Sequence, residues 1–119
     1  MIDLKTFLNL ADIDLGASAP KPTSVEGEQR EAAKTLYSSG DGLLEVGVWE
    51  CTPGLFTADR TTSSETCHII SGRVEMKTST GEKRELGPGD LLVLPLGWKG
   101  EWRILETTRK LYLIHRLAP

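Results

Sequence analysis

Two cysteines and two histidines are all that 119 residues hold of thiol and imidazole metal ligands. Cys51 and Cys67 each stand among strand-forming residues, which reads as two reduced, buried thiols and excludes a disulfide framework. No apolar run approaches the roughly 20 residues of a membrane-crossing helix, so no membrane partner is expected. A surplus of positive charge is missing as well: 14 Lys and Arg stand against 17 Asp and Glu, a net charge of −3. That balance supplies no basic field for a phosphate backbone, and nucleic acid is not an expected partner. Met1 to Leu10 carries Asp3, Thr6 and Asn9 where a secretion signal needs a basic start and an apolar centre, so cytoplasmic residence is expected. Internal repeats and low-complexity tracts are absent.

What remains is enough apolar residue, 39%, to close one core in a chain of this length. Ile2, Leu4, Phe7, Leu8 and Leu10 recur near helical spacing and predict a short amphipathic helix, which at this length needs a partner surface. Leu15 to Gly27 contains Pro20 and Pro22 and reads as an extended arm; Gly27 to Tyr37 fits a helical turn or an irregular edge strand. Residues 1–42 are thus expected to form an arm packed on the body, and residues 43–119 the domain proper.

From Leu43 the strand signal is firm. Asp41-Gly42 turns the chain, Leu43 to Cys51 carries Val46, Val48 and Trp49, and Pro53-Gly54 ends the run. Thr66 to Ile70 is broken by Ser71-Gly72, and Arg73 to Lys77 alternates charge with Val74 and Met76. Gly87-Pro88-Gly89-Asp90 cannot continue a strand, whereas Leu91 to Leu94 can, up to Pro95 and Gly97. Glu101 to Leu105 and Arg109 to Leu117 follow; in the last, Lys110, Tyr112 and Ile114 share one face and Leu111 and Leu113 the other. At least six short strands with tight turns and no long helix between them predict an all-β antiparallel sandwich or barrel, and exclude a parallel α/β fold.

Glu65, six intervening residues and Gly72 resemble the end of the first cupin motif; Gly89, five residues, Pro95, one residue and Gly97 resemble the start of the second. With the phrases VGVWECTPG, ETCHIISG and GDLLVLPLGWKGEW, the chain resembles the small single-domain cupins grouped with the ureidoglycine aminohydrolase cupin domain, and more distantly the ethanolamine-utilisation cupin. The resemblance spans about Leu43 to Leu117. It implies an antiparallel jelly-roll β-barrel, a homodimer, and a small-molecule pocket inside the barrel.

The departures from the family are as informative. Metal-binding cupins place two histidines shortly before the motif glutamate and a third after the second-motif glycine; here those places fall on Ala58 to Thr62 and on Gly100. Thr61 and Thr62 cannot replace imidazole for a transition metal, so no metal and no cofactor is expected, and Asp59 with Glu65 is the oxygen pair left for a harder cation. His68 lies on the opposite face of the strand from Glu65, in reach of packing or a dimer contact.

By strand alternation Glu65 points inward with Cys67 and Ile69. A carboxylate desolvated there rises in pKa unless a cation is close, and Lys110 or Arg60 is the candidate. One reading is a structural buried ion pair. The other makes Glu65 and Lys110 catalytic, with Glu65 as general acid or base, and has Asp59, Arg60, Trp98, Trp102 and Tyr112 contact the ligand. Two functions follow. One is a metal-independent enzyme acting on a ureido, amide or carboxylate metabolite; the other is a non-catalytic cupin that binds a small metabolite.

Overall fold

The structure, a computed structural model, describes residues 2–118, which form nine strands and no helix. Short pieces β1 (Ala19–Pro20) and β2 (Ser24–Glu26) precede β3 (Arg30–Ser38), β4 (Leu44–Cys51) and β5 (Gly54–Asp59). Then come β6 (Ser63–Thr78), β7 (Lys83–Leu86), β8 (Leu91–Leu94) and β9 (Lys99–Arg116). All pairings are antiparallel, and the sheet curls into a jelly-roll barrel.

Two long strands carry the architecture. β6 and β9 run antiparallel from Ser63 opposite Arg116 to Thr78 opposite Gly100. On the other side of β9, β4 pairs with residues 108–115 and β5 with residues 99–104, while β8 and β7 divide β6 between them. Sequence pattern alone reads each long strand as two, with a break at Ser71-Gly72 and a gap between Leu105 and Arg109. The chain instead passes through both places, with register shifts between Ile69 and Val74. Gly72 permits this: its φ is 94°, and a Cβ there would meet the Thr107 carbonyl and the Thr108 side chain. A residue without a side chain turns a strand end into a bulge, and the ladder bends and continues.

The helix expected over Ile2 to Leu10 does not form. Ile2, Leu4 and Leu8 are 100%, 89% and 76% exposed, so this chain offers their apolar side no surface, and nine residues cannot hold a helix without one. The segment is tied down at its far end, where Arg109 Nη1 donates to the carbonyls of Leu10 and Ile13 at 2.9 and 2.8 Å. Of the two options for residues 27–37, the strand is realised: β3 pairs with β4 from Glu31 opposite Cys51 to Ser38 opposite Glu45.

Period-two alternation makes the core. Trp49, Cys51, Phe56, Cys67, Ile69, Val74, Met76, Leu94, Trp102, Ile104 and Tyr112 are buried together inside the barrel. Phe56 stacks on Trp102 at 5.8 Å between ring centres, and Trp49 meets both edge-on at 5.8 and 6.0 Å. Burial pushes the Cys51 and Cys67 thiols up to about 11 and about 12, so both stay protonated and unreactive at neutral pH.

Candidate functional site

A cavity of about 730 Å³ opens into the barrel, in the size range of small-molecule sites. Its inner end is built by inward positions of β6, β9 and β4. Glu65 and Lys110, each 6% exposed, meet there, with Lys110 Nζ 3.0 Å from Glu65 Oε2. The ammonium also lies over two indoles, 4.1 Å from the Trp102 ring centre and 4.4 Å from that of Trp49. Ring faces carry partial negative charge, so the two tryptophans share with Glu65 the task of replacing the water this cation has lost.

Burial pushes the Glu65 carboxyl up, but the Lys110 ammonium, by charge and hydrogen bond, and Arg60, by charge, more than reverse that. The carboxyl ends below the usual glutamate range and is ionised at neutral pH. Tyr112 beside it donates to Glu45 Oε2 at 2.9 Å, and its phenol is pushed up to about 12, chiefly by burial. Room for its ring comes from Gly47 opposite on β4, where any Cβ would strike the Tyr112 hydroxyl.

The turn of the second motif positions the wall that carries Arg60. Trp98 N bonds Pro95 O at 3.0 Å to close that turn; Gly97 N then donates to Arg60 O at 2.7 Å, and Arg60 N to Trp98 O at 2.8 Å. Both edges of the Arg60 backbone are thereby fixed, while among the described residues its side chain makes one hydrogen bond, to Ser63 Oγ at 3.3 Å from Nη1. Glu65 Oε1 is 4.0 Å from the same Nη1, and Arg60 Nε is buried without a hydrogen-bond partner among the described residues.

Of the residues singled out from sequence, Glu65, Lys110, Asp59, Arg60, Trp102 and Tyr112 all line this cavity. Asp59 sits at the exposed rim, bonded to the Thr61 amide at 2.9 Å and 3.8 Å from Lys99 Nζ. Trp98 is not among the lining residues; its partly buried ring packs against the core, where a Cβ on Gly100 would stand. His68 is exposed on the outer face. Sequence reasoning missed Lys21, whose Nζ lies 4.2 Å from the Phe56 ring centre and 2.8 Å from Glu31 Oε1. Glu31 Oε1 also accepts from Trp49 Nε1 at 2.8 Å. The two prolines around Lys21 signal an extended backbone but not that it folds back over the barrel mouth.

The side chains present do not fit a transition metal. Lys110 and Arg60 stand against the two oxygens of Glu65, and no group of three His, Cys, Asp or Glu that could hold a metal occurs among the described residues.

Residues 38–112 match the EutQ-like cupin domain. The chain belongs to this family. The barrel is similar to that of the EutQ protein of Clostridium difficile, with TM-score 0.64 and 20% identity, over 74% of this chain and 64% of that one. This cupin thus spans less than two thirds of that protein's length. It is also similar to a putative ethanolamine utilization protein Q from Salmonella typhimurium, with TM-score 0.69 and 17% identity, over 85% of this chain and 80% of that one. A Rhizobium leguminosarum protein of unknown function has TM-score 0.73 and 19% identity over 98% and 100% of the two chains. At these identities the likeness establishes the fold of this cupin and not its activity. No curated protein matches the chain.

Proposed function

We propose that this cupin holds a small polar metabolite inside its barrel without a metal, and that the Lys110–Glu65 pair is the polar end of the site. The observation that carries this reading is the buried pair at 3.0 Å at the inner end of the cavity, beside Trp49, Trp102 and Tyr112. An ammonium donor beside a carboxylate acceptor matches the carbonyl and N–H of an amide or ureido group, the compound class suggested by the resemblance to ureidoglycine aminohydrolase cupins.

A second reading makes the site catalytic. Glu65 is kept ionised by Lys110, so it can act as a base at neutral pH, with Oε1 taking a proton from the bound compound while Oε2 stays on the ammonium. Calorimetric titration of chelator-treated protein with ureido, amide and carboxylate compounds tests the first reading. Binding that Glu65→Gln weakens at least tenfold supports it; binding that appears only when a divalent metal is restored sinks it. Turnover abolished by Glu65→Gln while binding persists would select the catalytic reading.

A further inference from the structure

Four cations line the cavity, Lys21, Arg60, Lys99 and Lys110, against the carboxylates of Asp59 and Glu65. Glu31, behind Lys21, makes a third carboxylate, which leaves one positive charge over in a chain whose net charge is −3. The distances assign that surplus. Lys21 has Glu31 at 2.8 Å, Lys110 has Glu65 at 3.0 Å, and Lys99 has Asp59 at 3.8 Å. Arg60 has no carboxylate of its own among the described residues: Glu65 Oε1 is at 4.0 Å, too far for a hydrogen bond, and the opposite oxygen of Glu65 already serves Lys110.

We infer that Arg60 is an anion anchor and that the ligand of this cavity is a small organic acid carrying a single carboxylate. Four features converge on this. The guanidinium forms one side-chain hydrogen bond in the described structure, to Ser63, and its Nε–H is unpartnered, so donors remain for a carboxylate, which a guanidinium binds through two parallel N–H bonds. Its backbone is held on both edges by the Pro95–Trp98 turn, which makes the anchor point rigid at the cavity wall. One uncompensated charge suits a monoanion better than a dianion. Finally, a cationic ligand is disfavoured, because Lys110 already lies over Trp49 and Trp102, and Lys21 over Phe56. The inference rests on the cavity being the ligand site and adds the charge of what enters it.

Benzoate, benzamide and benzylammonium differ chiefly in charge and can be titrated into the intact chain by calorimetry at low salt. Benzoate is expected to bind at least tenfold more tightly than benzamide, with benzylammonium weakest, and added salt is expected to narrow the gap. Arg60→Gln should remove the advantage of benzoate over benzamide, while Arg60→Lys should restore part of it. Benzamide binding as well as benzoate, and weakened by Glu65→Gln, would overturn the anion inference and leave the cavity reading intact. Binding of none of the three would overturn both. The comparison within the unmodified chain does not depend on either Arg60 variant folding.

Discussion

Lys110 meets Glu65 diagonally across two paired strands and not as its direct cross-strand neighbour. In the β6–β9 pairing Glu65 stands opposite Ile114, and Lys110 opposite Ile69, yet Nζ and Oε2 are 3.0 Å apart. The length of the lysine side chain lets its ammonium, over the indoles of Trp49 and Trp102, reach a carboxylate four positions away on the neighbouring strand.

Glu65→Gln leaves that ammonium buried without its counterion, and a loss of about 3–5 kcal/mol in unfolding free energy is expected. Glu65→Gln combined with Lys110→Met should recover much of it. Denaturant unfolding of the two single variants and the double one closes the cycle; additive losses would show that the pair does not couple.

The same pair sets an acid limb. Glu65 in the folded barrel titrates below the ordinary value, which in the unfolded chain is about 4.3. Its contribution is therefore fully present above that value and is lost as pH falls through the folded pKa. Urea midpoints measured from pH 6 downward should fall more steeply for the natural chain than for the Glu65→Gln, Lys110→Met double variant. Parallel curves would contradict an ionised, paired Glu65.

Gly47→Ala should displace Tyr112, because the new methyl would overlap its hydroxyl and lie 2.7 Å from the rigid Lys34 carbonyl oxygen. A loss of about 1–3 kcal/mol is expected, with a changed tyrosine signal in near-ultraviolet dichroism. Gly40→Ala, where nothing lies within 4 Å, is the control and should alter stability by no more than about 0.5 kcal/mol.

Arg109→Met removes the two bonds that pin Leu10 and Ile13 to the barrel. Amide exchange over residues 10–15 is expected to accelerate while β6 and β9 remain protected. Unchanged exchange in that segment would show that other contacts hold it.

Protein prepared without added metal should carry far less than one transition-metal ion per chain by elemental analysis, since Lys110 and Arg60 occupy the surroundings of Glu65. Stoichiometric manganese, iron, nickel or zinc that disappears in Glu65→Gln would contradict the ion-pair account of this site.

The sequence by itself determined which way side chains face. Alternation put Glu65, Cys67 and Ile69 inward on one strand and Lys110, Tyr112 and Ile114 inward on another, and the Gly- and Pro-bearing turns marked a curled antiparallel sheet; these are local signals, written in neighbouring residues. Only the tertiary structure decided the rest. Gly72 read as a strand break because its use as a bulge depends on Thr107 and Thr108, far along the chain. Helical spacing at Ile2 to Leu10 misled because a helix that short forms only against a surface, and the barrel presents none to it. Lys21 and Glu31 joined the site, and the Trp98 ring packed against the core over Gly100, through closure of the barrel. Periodicity fixes the face a residue occupies, whereas its partner there is chosen by how the sheet curves and how far each side chain reaches.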